Sequence, residues 1–230
     1  MKHVLFAVVV ALSLSACGKG ATGDAGAQGP QGPQGPAAPV PTPPAVTPLE
    51  QEVAKLLADE NEYRLGLGQT MLSTGLSCTL QTFTGGDRIQ ASIAGHNTLQ
   101  GLTTVGSFLL TSPMNQQDSP ISDGNSVLPA GIRSVYKNMY LLRCQGQLVV
   151  TQSGNVLIDI TSDDGSVVYV DGSKLIDNDN NHGSTTVAGM KYLRKGVHSF
   201  RLDYAQSGGG SQSLVLRMNG ELMNPLLWAH

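Results

Sequence analysis

The stretch that decides the fold runs from residue 154 to residue 172 and reads GNVLIDITSDDGSVVYVDG. In its first half, apolar side chains recur at every second position, at Val156, Ile158 and Ile160. Successive side chains of a strand point to opposite faces, so this pattern predicts a strand with one buried face. Residues 166–170 predict the next strand, and Asp171-Gly172 after them is a favoured two-residue hairpin turn.

The same strand-rich character extends over about two thirds of the chain. From about residue 75 onward, short runs of Val, Leu, Ile and Thr are separated by Gly, Asn, Asp and Ser. Residues 197–204 alternate again, and Asn219-Gly220 predicts a second hairpin turn. We therefore expect one all-β domain over residues 75–230, a β-sandwich or barrel, because this length suffices for a single core.

A helix is predicted immediately before the β domain. Thr47 has the features of an N-cap, Pro48 suits the first helical position, and Glu50 completes a capping box. We assign the helix to residues 48–67, with an apolar stripe made of Leu49, Val53, Leu56, Tyr63 and Leu67. Two interpretations stay open, since the stripe could pack on the protein's own domain or form a short coiled coil.

Residues 17–47 are interpreted as a linker. Glycine occupies every third position from Gly20 to Gly35, which is the spacing of collagen. Residues 36–48 are rich in proline, which is typical of an extended, semi-rigid spacer. Because collagen-like triplets adjoin a heptad-like helix, a homotrimer built on residues 20–67 is a hypothesis beside that of a simple spacer.

The N-terminus has the features of an export signal. Lys2 is followed by an apolar run from Val4 to Leu14, shorter than the roughly 20 residues that a membrane-spanning helix needs. Residues 14–17, LSAC, resemble the lipobox of bacterial lipoproteins. The resemblance implies that residues 1–16 are a signal peptide and that Cys17 carries lipid. With Gly18 after the cysteine, it also implies the outer membrane, with the domain facing the periplasm or the cell surface; the alternative is a secreted protein with an incidental cysteine.

Composition excludes some classes of function. The chain has 14 Lys and Arg against 17 Asp and Glu, and it lacks a basic stripe, so we expect no nucleic-acid partner. His198 falls on an apolar strand face and His182 in an Asn-rich loop without a nearby nucleophile motif, so we expect no enzyme. Cys78 and Cys144 predict a disulfide in an oxidising compartment, and two buried thiols are the alternative.

Asp163 and Asp164 are adjacent acids at the end of the first quoted strand. Neighbouring residues of a strand point to opposite faces, so both acids could meet one ligand only if the backbone between them left strand geometry. A cis peptide would achieve this, and such bonds are typical of binding sites. Two adjacent carboxylates would also favour a divalent cation. The alternative is a solvated turn over residues 162–165.

Several segments resemble the protective-antigen fourteen-kilodalton domain, a family found in flocculins and adhesins. They are residues 154–172, 175–178, 181–183, 195–198 and 203–204. The resemblance is strongest over residues 154–217 and looser upstream. It implies a β-sandwich or barrel, and the lectin members of the family bind sugar through calcium.

The resemblance also implies a set of calcium ligands. In the lectin members, calcium is held by adjacent aspartates joined by a cis peptide, by one side-chain amide and by two backbone carbonyls. These roles pass to Asp163 and Asp164, to the amide of Gln206, and to the carbonyls of Gly208 and Gly210. Fungal members usually have asparagine where Gln206 stands and an aromatic residue near Gly210, so the sequence departs from their pattern at both positions.

The loop over residues 177–183 is expected to form a second wall of this site. Asn178, Asn181 and His182 could hydrogen-bond sugar hydroxyls, although Asn and Asp also fill such loops because they tolerate left-handed turns. Trp228 is interpreted as a core residue rather than a sugar platform. The resemblance therefore implies an adhesin or lectin that binds a glycan or cell-surface polysaccharide through calcium. The alternative is a structural or protein-binding lipoprotein that binds neither metal nor sugar.

Lipidation at Cys17 is testable by growth on a radioactive fatty acid. We expect the wild-type protein to be labelled and Cys17→Ala to be unlabelled, because only this cysteine is the last residue of a lipobox-like tetrapeptide. A Cys78→Ala/Cys144→Ala variant is the control and should keep its label. An unlabelled wild-type protein would contradict the assignment.

Overall fold

The computed structural model describes residues 46–83, 102–119, 128–129, 140–206 and 211–230. The predicted signal peptide, Cys17, nearly all of the linker, and the carbonyl groups of Gly208 and Gly210 lie outside these residues. All described residues belong to one unit, Pro44–His230. Among them, no helix has the length and apolar character that crossing a membrane requires.

One α-helix and twelve β-strands form the regular structure of the described residues. The helix, α1, spans Pro48–Gly66, and a short 3-10 helix spans Pro225–Leu227. The strands are β1 Leu76–Phe83, β2 Leu102–Leu110, β3 Asn115–Ser119, β4 Tyr140–Val150, β5 Gly154–Asp163, β6 Ser166–Val170, β7 Ser173–Asn178, β8 Thr185–Leu193, β9 Gly196–Gln206, β10 Gln212–Met218, β11 Glu221–Leu222 and β12 Trp228–Ala229.

The strands form two antiparallel sheets. The seven-stranded sheet has the order β2-β1-β4-β9-β6-β7, with β12 also pairing with β4. The five-stranded sheet has the order β11-β10-β5-β8, with β3 also pairing with β10. Apolar side chains of both sheets enclose one core, including Leu142 and Leu202 from the first and Ile158 and Leu216 from the second. The predicted all-β class is confirmed.

The period-two pattern of the sequence corresponds to burial in the sheets. Ile158 and Ile160 are fully buried along β5, and Leu202 is fully buried along β9. Trp228 is also buried, and its Nε1–H donates to Met223 Sδ at 2.9 Å, so its interpretation as a core residue is confirmed.

Both predicted hairpin turns are present. Asp171 and Gly172 have φ values of 52° and 71°, and Asn219 and Gly220 have values of 54° and 87°. Positive φ at both central residues is the geometry of a type I′ turn, which favours Asn or Asp followed by Gly. These turns join β6 to β7 and β10 to β11.

Helix α1 begins as predicted. Glu50 N–H donates to Thr47 Oγ1 at 3.2 Å, and Thr47 N–H donates to Glu50 Oε2 at 2.6 Å, which completes the capping box. These reciprocal bonds satisfy donors at the helix N-terminus that would otherwise lack a partner within the helix.

The apolar stripe of α1 packs on the protein's own domain through its N-terminal half. Val53 is buried, and Leu49 and Leu56 pack against the core. Tyr63 and Leu67 remain 65% and 55% exposed. The coiled-coil interpretation is therefore wrong for Leu49, Val53 and Leu56, because these side chains already contact the core. The homotrimer stays a prediction that depends on other residues.

A disulfide joins Cys78 of β1 to Cys144 of β4. The two residues lie directly opposite each other in the antiparallel pair, and both are fully buried. The bond closes a sequence separation of 66 residues. In the chain-entropy model, a loop of this length gives about 4 kcal/mol of stabilisation, because the unfolded chain loses conformations.

Gly146 allows β12 to pass close to β4. A Cβ on this residue would lie 2.3 Å from the carbonyl oxygen of Ala229. We expect Gly146→Ala to lower the free energy of unfolding by about 1–3 kcal/mol, as overpacking does. Gly154→Ala is the matched control in β5, since a Cβ there meets nothing within 4 Å, and its effect should stay within about 0.5 kcal/mol. Urea unfolding measures both, and equal midpoints for the two variants would contradict the expectation.

Candidate functional site

The ends of several strands meet at one end of the sandwich. Here β5, β7 and β9 end, and β6, β8 and β10 begin. The paired residues at this end are Asp163 with Ser213, Ser162 with Thr185, Ser166 with Asn178, and Tyr140 with Gln206. We call the cluster formed there the strand-end site; it consists of Ser162, Asp163, Asp164, Ser166, Asn178, His182, Tyr204 and Gln206.

The start of helix α1 lies at the opposite end of the sandwich. The Glu52 carboxylate forms an ion pair with Lys195 Nζ, and Lys195 directly precedes the first residue of β9. Gln206 is the last residue of the same strand, which has 11 residues. At about 3.3 Å per residue, such a strand is roughly 33 Å long. The chain therefore enters the β domain far from the strand-end site.

The Asp163–Asp164 peptide bond is cis, as the family resemblance implies. Asp164 is only 3% exposed, and its Oδ1 accepts a hydrogen bond from the backbone N–H of His182 at 3.2 Å. Its own backbone N–H donates to Gln206 Oε1 at 3.1 Å. Asp163 is half-buried beside it. A solvated turn therefore does not describe Asp164, which is held by two neighbouring segments of the chain.

Gln206 lies against the acid pair through its amide oxygen. This oxygen faces the backbone N–H of Asp164 and also lies 2.7 Å from the Tyr204 hydroxyl. The same hydroxyl is within hydrogen-bonding distance of the Asp163 carbonyl oxygen. Both Gln206 and Tyr204 are 1% exposed. The structure thus brings Gln206 together with Asp163 and Asp164, which are 43 and 42 residues earlier in the chain.

Asn178 supports the site instead of facing solvent. Its Nδ2 donates to Ser162 Oγ at 2.9 Å and to the Thr185 carbonyl at 3.3 Å, and the residue is 7% exposed. Ser162 Oγ in turn lies 2.8 Å from Ser166 Oγ. The NH₂ group of Asn178 is thus occupied in joining β7 to β5 and β8, and a sugar contact of this residue stays a prediction.

His182 and Asn181 differ in their surroundings. The His182 ring nitrogens lie 2.8 Å from the Gly183 carbonyl oxygen and 3.0 Å from that of Asn178, so the imidazole braces its own loop. Asn181 is exposed. Asn180 has a φ of 101°, which agrees with the interpretation that asparagines in this loop serve its left-handed turns. Of the three predicted ligand contacts, Asn181 alone presents an exposed side chain.

Two buried tyrosines lie beneath the site. Burial raises the pKa of Tyr204 well above 10, and the nearby Tyr140, Asp163 and Asp164 raise it further. Burial also raises the pKa of Tyr140. Both hydroxyls are therefore protonated at neutral pH and can donate hydrogen bonds. Their rings pack edge to face with centroids 5.9 Å apart.

The oxygen groups of the strand-end site fit the chemistry of calcium. Calcium takes about six to eight oxygen ligands, and Asp163, Asp164 and Gln206 offer two carboxylates and one amide oxygen. Each ionised carboxylate has roughly four lone-pair positions, so the N–H bond to Asp164 and a cation are compatible. Within the described ranges, no three His, Cys, Asp or Glu side chains group to hold a metal. A cation here would therefore need neutral oxygens beside the two carboxylates.

Sequence reasoning missed the polar residues that support the acids. Ser162 follows Val156, Ile158 and Ile160 at the same inward spacing, so a serine on the buried face was the available signal. The Tyr204 hydroxyl gave no signal, because the pattern of β9 assigned this residue only to an apolar face.

Fold and site together define a two-sheet antiparallel β domain with a paired-carboxylate site at its strand ends. A family model described as "PA14 domain" matches residues 109–224, which is half of the chain. The protein therefore belongs to the PA14 domain family.

Solved structures with this fold agree with that assignment. The PA14 sugar-binding domain from an RTX adhesin is 19% identical and has a TM-score of 0.53; the match covers 68% of this chain and 98% of that one. The PA14 domain of the antifreeze protein MpAFP is 14% identical with a TM-score of 0.50, and the match covers 70% and 92% of the two chains. No curated protein matches the chain.

The support given by Asn178 can be tested against an exposed neighbour. We expect Asn178→Ala to lower the free energy of unfolding by about 1–3 kcal/mol, because buried partners at Ser162 and Thr185 lose a donor. Asn181→Ala is the same substitution at an exposed position of the same loop and should change it by less than about 0.5 kcal/mol. Urea unfolding in chelator is the measurement, and a larger effect at Asn181 than at Asn178 would contradict this arrangement.

Proposed function

We propose that this protein is a surface-anchored lipoprotein adhesin that binds glycan in a calcium-dependent manner. The proposal rests on one observation: Asp163, Asp164 and the amide oxygen of Gln206 lie together at one end of the sandwich. Hard oxygen groups in this combination suit calcium better than they suit catalysis. The function is therefore binding rather than chemical conversion.

Calcium would be held by Asp163, Asp164 and Gln206, with the carbonyls of Gly208 and Gly210 completing the protein ligands. When bound, the ion would supply open coordination positions for vicinal hydroxyls of a sugar. Two carboxylates balance the charge of the ion, and about five protein ligands leave room for a diol. Affinity for calcium should be modest, in the ~10⁻⁴ to 10⁻³ M range of extracellular modules.

Specificity for the sugar would come from the loop beside the acids. Asn181 is exposed there, and its amide can both donate to and accept from sugar hydroxyls. His182 and Asn178 hold the loop in place through the contacts described above. A related PA14 domain of the same fold is described as the sugar-binding domain of an adhesin, which supports this choice of ligand class.

The anchor would be lipid on Cys17 at the outer membrane, followed by the linker over residues 17–47. Helix α1 begins at the end of the sandwich opposite the strand-end site. A chain tethered through that end would hold the site away from the membrane. Association into a homotrimer through the collagen-like triplets would multiply the sites on one stalk and raise avidity.

Calcium binding can be measured by thermal melting in calcium and in chelator. At a hundredfold excess over the dissociation constant, calcium should stabilise the wild-type protein by about 2.7 kcal/mol. Asp164→Asn should lose most of this gain, because a charged ligand becomes neutral. Asp159→Asn is the control, since Asp159 lies on β5 five residues before Asp164 and pairs with Arg217 at 3.3 Å outside the site. It should keep the calcium effect.

A glycan array run with the same three proteins tests the ligand. Wild type and Asp159→Asn should bind the same glycans in calcium and lose them in chelator, while Asp164→Asn should bind none. Identical melting curves with and without calcium for all three proteins would overturn the calcium site, and glycan binding that persists in chelator would overturn its role in recognition.

A further inference from the structure

The buried Tyr204 contacts two residues of the proposed ligand set, Asp163 and Gln206. Its hydroxyl is within hydrogen-bonding distance of the Asp163 carbonyl oxygen and lies 2.7 Å from Gln206 Oε1. The residue is 1% exposed, so a ligand in solvent cannot touch it. Any effect of the hydroxyl on binding must pass through Asp163 or Gln206.

The number of donors around Gln206 decides which way its amide points. The backbone N–H of Asp164 can only donate, so the atom of Gln206 that faces it must be the oxygen. The Tyr204 hydroxyl has one hydrogen and three acceptors within reach: Gln206 Oε1, the Asp163 carbonyl oxygen and the hydroxyl oxygen of Tyr140. If a cation occupies a lone pair of the amide oxygen, the hydroxyl can still donate to the carbonyl. The buried donor is therefore satisfied in both arrangements.

We propose that Tyr204 is a positioning residue of the strand-end site. Its hydroxyl donates to the Asp163 carbonyl oxygen or to Gln206 Oε1, which both lie against it, and thereby fixes where the two carboxylates and the amide oxygen lie before a cation arrives. This inference rests on the proposed calcium function for its effect on affinity. Its effect on the Asp163–Asp164 backbone is independent of any metal.

Tyr140 is a matched control in the same core. Like Tyr204 it is fully buried, and the two rings pack edge to face. Its hydroxyl donates to Gln212 Oε1 at 2.7 Å. Tyr140→Phe and Tyr204→Phe therefore each remove one buried hydroxyl, and either change removes the hydrogen bond that joins the two hydroxyls. Only Tyr204→Phe removes the direct contact with Asp163 and Gln206.

Titration calorimetry with calcium chloride gives the first readout, at a temperature where circular dichroism shows each variant folded. We expect the calcium dissociation constant to rise about tenfold in Tyr204→Phe, as groups that orient metal ligands do when removed. In Tyr140→Phe the dissociation constant should stay within about twofold, because that hydroxyl contacts Gln212 and Tyr204 but none of the proposed calcium ligands directly. A merely structural hydroxyl would lower the melting temperature of both variants and leave both dissociation constants unchanged.

Hydrogen exchange of the Asp164 backbone amide, measured in chelator, gives the second readout. This N–H donates to Gln206 Oε1, so releasing the amide should open it to water. Exchange of the Asp164 amide should be about tenfold faster in Tyr204→Phe and unchanged in Tyr140→Phe. The reason is that local opening of the Asp164–Gln206 contact, and not global unfolding, exposes this N–H to water.

The outcomes separate this inference from the proposed function. Equal dissociation constants and equal exchange rates in the two variants would overturn the role of Tyr204 and leave the calcium site standing. A wild-type protein without calcium binding would overturn the proposed function, and the exchange rates would still decide whether Tyr204 positions the acid pair. If Tyr204→Phe does not fold, wild-type protein with carbon-13 at tyrosine Cζ replaces it. Where calorimetry shows that the wild-type protein binds calcium, the Tyr204 resonance should then shift more than that of Tyr140, and equal shifts would overturn the proposal.

Discussion

Eleven consecutive residue pairs join β4 to β9, from Tyr140 opposite Gln206 to Val150 opposite Gly196. A slip of one residue would turn every side chain of a strand to the other face, so this register fixes what the core contains. The separate pairing of β9 with β6 places Tyr204 opposite Ser166. The disulfide between Cys78 and Cys144 holds β1 to β4 in its own register. The strand-end site depends on these alignments, because its members come from strands far apart in the chain.

Local features were readable from the sequence because local physics determines them. The alternation at Ile158 and Ile160 identifies a half-buried strand, and Asn219-Gly220 suits a turn with two positive φ values. The capping box at Thr47 needs only neighbouring residues. The order of the strands could not be read, since sheet pairing depends on contacts between distant segments. For the same reason the stripe of α1 left two partners open until its contacts with the core were visible.

The two aspartates of the candidate site could be predicted from the sequence, whereas the buried polar residues that hydrogen-bond around them could not. Adjacent aspartates are conspicuous because they repel each other, whereas Asn178 and Ser162 look like ordinary loop and strand residues. Their importance comes from burial, which the sequence does not report. Buried polar groups need partners, and here they find them in one another at the end of an otherwise apolar core. A fully satisfied network of this kind favours one arrangement of the loops around it.

The separation between the start of α1 and the strand-end site has a mechanical consequence. A protein tethered at one end of the sandwich and attached to a surface at the other would feel tension along the direction of its strands. Hydrogen bonds of an antiparallel pair run perpendicular to the strands, so such a pull shears many of them at once instead of peeling them one by one. With eleven paired residues between β4 and β9, the domain would resist sudden extension far better than a sheet opened from its edge.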